Sequence, residues 1–226
     1  MRKNAVVIAI DGPAAAGKTT AARMLARALP ALYLDTGAMY RALAYLALRT
    51  QTDIDNENAL VRLCSRYRIR VQLDQDADLG FRIFAGPQEL GAELNSKEVT
   101  AVVSSIAAHP RVRDAMMQEQ RSIAAQGAVV MAGRDIGTVV LPDAGCKIYL
   151  TASLDARVKR RREELRGAGV DVNTHILEQE IVERDRLDEN RATAPLQVAK
   201  DAHILDSSDM SAEEVVDAIL RLVHVS

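Results

Sequence analysis

The chain of 226 residues contains only two cysteines, Cys64 and Cys146, each isolated in the sequence. That scarcity excludes a disulfide framework and a paired-thiolate zinc site, and it reads as reduced thiols in a cytoplasmic protein. An excess of charge of one sign is missing too: 29 Lys and Arg stand against 31 Asp and Glu, for a formal net charge of −2. The global basic field that non-specific nucleic-acid binding relies on is therefore absent, and nucleic acid is not expected as a main partner. No uncharged apolar run is long enough to span a bilayer, so no membrane partner is expected. The opening MRKNAVVIAID offers an apolar stretch only over residues 5–10 before Asp11 interrupts it, too short for the core of a secretory signal. Internal repeats and low-complexity tracts are lacking.

What is present is 48% hydrophobic sequence, enough for one sizeable domain with room for a small insert but not for a second large domain. Short β-branched runs alternate with longer helical patterns, the signature of a parallel sheet covered on both sides. Strands are expected at 5–10, 32–35, 128–132, 146–152 and 202–206. Helices are expected at 18–29, at 37–51 with Thr36 as its cap, at 96–109, at 154–167, at 172–192, and from Ser211, where Glu214 completes a capping box. The rhythm breaks at YRIRVQL (67–73), where apolar and polar residues alternate; the polar turn DQDADLG and the strand FRIFA (81–85) follow. That pattern predicts an antiparallel hairpin inside an insert spanning about 67–95, either a substrate-binding element or a passive decoration.

The stretch IAIDGPAAAGKTT (8–20) places Lys18 at a helix start, with no carboxylate in the first turn, although that end of the dipole favours acids. An anion is needed to complete the pattern. Residues Gly12, Pro13, Ala14, Ala15, Ala16, Gly17, Lys18 and Thr19 match G-x-x-x-x-G-K-[ST] between an expected strand and an expected helix. All eight would line the ATP phosphates; the backbone N–H groups of this stretch, proline excepted, together with that of Thr20 on the first helical turn, would hold them. Lys18 would bridge the β- and γ-oxygens, and Thr19 would face Mg²⁺, largely through water. The Asn-Lys pair with which a GTPase reads guanine occurs nowhere. What remains is phosphoryl transfer to a small acceptor, which demands arginines to neutralise charge on several oxygens.

Arginines come in three groups. GRDIGT (133–138) follows an expected strand and puts Arg134 and Asp135 at a carboxyl end, where open α/β sheets bind ligands. RVKRRREELR (157–166), flanked by glycines, fits either a solvated helix face, salt-bridged to residues such as Glu163 and Glu164, or a lid closing over ATP with Arg157 and Arg161. In RDRLDENR, Arg184, Asp188 and Arg191 fall on one stripe of a helix, either a surface ion-pair ladder or part of a site.

IDGPAAAGKTT, LDTGAMYRALA, AHPRVRDAM, AGRDIGTVVLPDA, KIYLTAS and RDRLDENRATAPL, in that order, resemble the bacterial cytidylate kinases, a family of nucleoside monophosphate kinases. The resemblance covers nearly the whole chain. It implies a three-layer α/β P-loop kinase fold: a five-stranded parallel sheet, a core (1–66, 96–153, 171–226), a small antiparallel monophosphate-binding insert (67–95) and a short helical lid (154–170). The implied enzyme is a cytoplasmic monomer that phosphorylates CMP and dCMP with ATP and Mg²⁺. By resemblance the acceptor phosphate falls to Arg41 and Arg134, and cytosine reading to Thr36, Arg113, Asp135 and Arg191. Ser104, Arg184 and Asp188 would address the sugar. Lys18, Arg134, Arg157 and Arg161 would carry catalysis by direct in-line attack, without a covalent intermediate or a general base. The family's loop usually has glycine near position 15, so Ala15 requires a backbone region that alanine tolerates; Thr36 stands where serine is common. A P-loop kinase of another small acceptor such as UMP, and a non-catalytic nucleotide or RNA binder acting through 157–166, fit the same residues.

Overall fold

The computed structural model describes residues 6–74, 80–167 and 169–223. Five parallel strands form the main sheet: β1 (Val7–Asp11), β2 (Leu32–Asp35), β6 (Val129–Gly133), β7 (Cys146–Thr151) and β8 (His203–Asp206), in the spatial order β2-β6-β1-β7-β8. All five residues of β6 are buried, as expected of a central strand covered on both faces. The first strand begins and ends one to two residues later than the sequence suggests, so Asp11 belongs to it; residue 5 lies outside the described residues. Helices α1 (Lys18–Ala28) and α8 (Ala212–Val223) pack together, as do α2 (Thr36–Arg49) and α4 (Lys97–Ala107). The sheet between helical layers is the three-layer α/β arrangement expected.

The alternating stretch forms the predicted hairpin, β3 (Ile69–Leu73) against β4 (Phe81–Ala85), with Phe81, Ile83 and Ala85 buried and Arg82 exposed. A third strand, β5 (Gln88–Leu90), extends it; three residues are too few for the alternation to register in sequence. Residues 75–79 of the expected turn lie outside the described residues. The ring of Phe81 meets that of Tyr33 on β2 at 5.6 Å between centroids, which ties the small sheet to the large one.

Two helices join the core that sequence periodicity leaves unread: α3 (Glu57–Tyr67), capped by Asn56, and α5 (Pro110–Ala124), with proline at its first position. Helix α4 is capped by Ser96 and stops at Ala107, two residues short of the expected end, because the chain turns into Pro110. The capping box at Ser211 forms as expected, with Ser211 N–H donating to Glu214 at 2.8 Å and Glu214 N–H to Ser211 Oγ at 3.2 Å. The cap of α2 is different: Asp35, not Thr36, accepts the Gly37 N–H at 2.9 Å. Thr36 is already helical, and its hydroxyl donates instead to Ala132 O on β6 at 3.0 Å.

Helices α6 (Leu154–Gly167) and α7 (Thr174–Asn190) stand apart. Their shared apolar cluster, Val158, Leu177 and Ile181, is separate from the main core. Arg191 follows α7 with extended backbone, so the Arg184, Asp188 and Arg191 stripe is not one continuous helical face. Cys64 and Cys146 are free thiols. Among the described residues no helix is long and apolar enough to cross a membrane.

Candidate active site

Strand order and direction put the carboxyl ends of β1, β2 and β6 side by side: Asp11 pairs in register with Gly133, and Asp35 with Ala132. This is the edge at which open parallel sheets hold ligands. The loop after β1 cannot carry a side chain at its first position, since a Cβ on Gly12 would lie 2.0 Å from Leu150 O. At its end Gly17 takes a left-handed backbone (φ 89) and starts α1, whose first turn has neither an acidic residue nor a side-chain cap. The free N–H groups therefore face a site short of negative charge. Ala15 is also left-handed, at φ 58. This is the region that glycine occupies freely and that costs a non-glycine residue about 1–2 kcal/mol.

Lys18 is buried and donates to Pro13 O at 2.5 Å. Burial pushes its ammonium well below the usual lysine range; Arg134 and Arg184 push the same way, while Asp35 and Asp188 oppose them. Burial likewise lowers Arg184 to about 10, aided by Arg134 and Arg41, and its Nε is buried without a hydrogen-bond partner. Cations crowd one another here, an arrangement that would suit an anion. Thr20 is exposed on the same first turn.

Thr19 Oγ1 lies 3.3 Å from Asp35 Oδ2, joining the start of α1 to the end of β2. A hydroxyl and a carboxylate are the hard oxygen donors that suit Mg²⁺. Among the described residues no group of three or more His, Cys, Asp and Glu side chains is placed to hold a metal ion. Asp35 also accepts from Arg41 Nη2 at 3.1 Å. Sequence reading did not single Asp35 out; its place between a strand and a helix start was the available signal.

Beyond this loop the residues that the resemblance assigns to the acceptor converge. Arg134 Nε donates to Asp188 at 2.7 Å. Burial alone would raise Asp188, but Arg134 and Arg184 more than offset it and hold its carboxyl below the usual range. Asp135 is buried between two guanidinium groups: Arg113 Nη2 donates to Oδ2, and Arg191 Nη2 reaches Oδ1 at 3.5 Å. The Arg113 guanidinium also lies 5.5 Å from the centre of the Tyr40 ring. Ser104 is buried on α4, which packs against α7. The segment carrying Arg134 and Asp135 continues into a π-helical turn, Ile136–Val140, a conformation common at functional sites and without a sequence signature. Its first two N–H groups donate to the buried Asp11 carboxylate at 2.8 and 2.7 Å. Burial raises Asp11 to about 6 despite those two bonds.

From α6, Arg161 pairs with Glu164 at 2.8 Å and Arg157 pairs with Asp185 of α7. Arg160, not singled out in sequence, donates to Ser207 Oγ at 3.0 Å. Arg162 and Arg166 line an open groove of about 390 Å³ between α6 and α7 instead of facing the loop. Arg161 thus takes the salt-bridged arrangement that its sequence allowed.

The cytidylate kinase family model matches residues 8–225. The chain belongs to the cytidylate kinase family. It is 45% identical over 222 residues to the cytidylate kinase of Geobacillus sp. (strain WCH70), covering 98% of each chain. It is 48% identical over 216 residues to that of Pelotomaculum thermopropionicum, covering 96% of this chain and 95% of the relative. An uncharacterized protein from Eubacterium ventriosum, solved by crystallography, shares the fold at a TM-score of 0.53 and 10% identity, over 98% of this chain and 99% of its own. Within this cytidylate kinase family member, the motif residues scattered from Gly12 to Arg191 lie along one carboxyl edge of the sheet and the helices beside it.

Proposed function

We propose that the chain transfers the γ-phosphoryl group of ATP to CMP and dCMP, giving CDP and dCDP. The observation that carries this reading is the cationic site at the loop before α1, where buried Lys18 lies within electrostatic reach of Arg134 and Arg184, and Arg184 within reach of Arg41. The N–H groups of residues 15–20 and Lys18 hold the ATP phosphates, that of Ala14 being taken by Asp185; Arg41 and Arg134 hold the acceptor phosphate in line with them. Its oxygen is already anionic, so no general base is required. Thr19 and Asp35 would hold Mg²⁺, which when bound would supply neutralisation of phosphate charge. Arg157 and Arg161 of α6 add positive charge from the other side, and α6 excludes water as a lid.

Base choice follows from hydrogen-bond chemistry. The cytosine amino group needs an acceptor such as the Asp135 carboxylate or the Thr36 hydroxyl, while Arg113 and Arg191 donate to N3 and O2. Uracil presents the reverse pattern at that edge and leaves buried groups unpaired. Ser104, Arg184 and Asp188 are assigned to the sugar. Residues 67–95 form the monophosphate-binding insert and 154–170 the lid of a cytoplasmic monomer with no nucleic-acid or membrane partner.

The test is ADP release measured across CMP, dCMP, UMP, AMP and shikimate. Turnover with CMP and dCMP well above the others is expected. Preference for UMP or shikimate, or salt-dependent RNA binding with no ADP release on any acceptor, overturns the assignment.

A further inference from the structure

Asp185 has no part in the scheme above, yet it is buried and doubly engaged. Its Oδ1 accepts the N–H of Ala14, inside the phosphate loop, at 2.9 Å. Its Oδ2 accepts from Nη1 of Arg157, and the same nitrogen donates to the carbonyl of Ala14 at 3.2 Å. The peptide groups on both sides of Ala14 are therefore gripped by one ion pair, the N–H by the carboxylate and the C=O by the guanidinium. Arg157 is steadied from behind by Nε, which donates to Ala152 O at 3.1 Å.

The next residue along the loop is Ala15, held at φ 58. Alanine leaves that region unless its surroundings over-determine it. The side chain of Ala15 packs against the cluster Val158, Leu177 and Ile181, the only apolar core that α6 and α7 share among the described residues. The grip on Ala14 and the left-handed turn at Ala15 thus form one unit, built from the phosphate loop, α6 and α7. One residue away on α7, Arg184 is aimed at the crowded cationic site, and one turn on Asp188 pairs with Arg134. Asp185 faces the donor loop while its neighbours face the acceptor.

We propose that Asp185, acting through Arg157 and the Ala14 peptide groups, is a positioning residue that sets the phosphate loop in its ATP-binding shape and fixes its register against α7. The proposal rests on reading residues 12–19 as a phosphate loop. The carboxylate touches no reacting atom. It keeps the loop N–H groups convergent despite an alanine where the backbone favours glycine, and it makes donor-side geometry depend on the helix that carries acceptor-side residues. A charge-assisted bond to each neighbour makes it stronger than a neutral side chain of the same shape.

The test combines Asp185→Ala and Asp185→Asn with Ala15→Gly, in the full chain. ADP and CMP binding are measured separately by calorimetry and steady-state turnover alongside. In D185A the ADP dissociation constant should rise about tenfold or more while that for CMP stays within about twofold. D185N, which still offers an oxygen to the Ala14 N–H, should fall between D185A and the natural protein, and it serves if D185A does not fold. Ala15→Gly should improve ADP binding more in the Asp185 variant than in the natural background, because glycine takes the left-handed turn without the clamp. ADP affinity unchanged in both variants, an equal loss of CMP affinity, or no background dependence of Ala15→Gly overturns the proposal. Natural protein that binds ADP but makes no CDP contradicts the proposed function and leaves this binding test intact.

Discussion

Arg113 and Asp135 form an ion pair with side chains only 7% and 6% exposed, and Arg191 approaches the free oxygen of the same carboxylate. One acid between two buried guanidiniums holds both in place. Asp135→Ala leaves two cations unpaired in the interior. Loss of one partner from such a pair costs on the order of 3–5 kcal/mol. We expect a large drop in the denaturation midpoint, readable by urea titration. Asp135→Asn should fold better, since its amide oxygen still accepts, but turnover should lose its preference for CMP over UMP. An undiminished CMP-to-UMP ratio in D135N would remove Asp135 from base reading.

Lys18 is buried within electrostatic reach of Arg134 and Arg184 and donates to the carbonyl of Pro13. Lys18→Met should abolish most turnover, because the charge that bridges the β- and γ-oxygens is gone, yet leave CMP binding by calorimetry nearly intact. Turnover within a few fold of the natural protein would defeat the role assigned to this lysine.

Arg184 is lowered to about 10 by burial and by neighbouring cations, so its charge destabilises the ligand-free fold at neutral pH. Arg184→Gln should therefore raise the melting temperature of the free protein while weakening CMP binding, measured by calorimetry. This is the usual opposition between a strained site and stability. A lower melting temperature for the variant would show that Arg184 is already compensated within the fold.

Asp11 is raised from 3.8 to about 6, mainly by burial. A carboxyl that binds its proton more tightly when folded adds stability that is fully present below pH about 4 and lost as pH rises towards 6. Asp11→Asn removes this titration. The stability of the natural protein relative to D11N, from urea titrations, should become less favourable between pH 4 and 7. Asp188 acts in the opposite sense, since its lowered carboxyl adds stability above its ordinary value that is lost in acid, but it is common to both proteins. A flat difference across that window would mean that Asp11 has the same proton affinity folded and unfolded.

Much of the fold was legible locally. The buried β-branched runs and the alternating stretch at 67–73 each encode their own period. The phosphate-loop spacing and the order of the motifs pointed to the family. The cap of α2 was misassigned by one residue because Asp35 and Thr36 are both good caps, and only the partner on β6, Ala132 O, draws the threonine hydroxyl away. The left-handed backbone at Ala15 contradicts alanine's own preference, and the contacts that Asp185 and Arg157 make with the adjacent Ala14 come from far along the chain.

By itself, the sequence determined the class of fold, the glycine-bounded loop before α1 and the set of arginines, because hydrophobic period, glycine spacing and charge are written over a few neighbouring residues. The tertiary structure alone decided which arginine meets which carboxylate, that Asp11 and Asp185 hold backbone N–H groups more than a hundred residues away, and that Asp35 joins Thr19. Those pairings depend on parallel register and helix packing, which bring together residues whose separation along the chain carries no local signal.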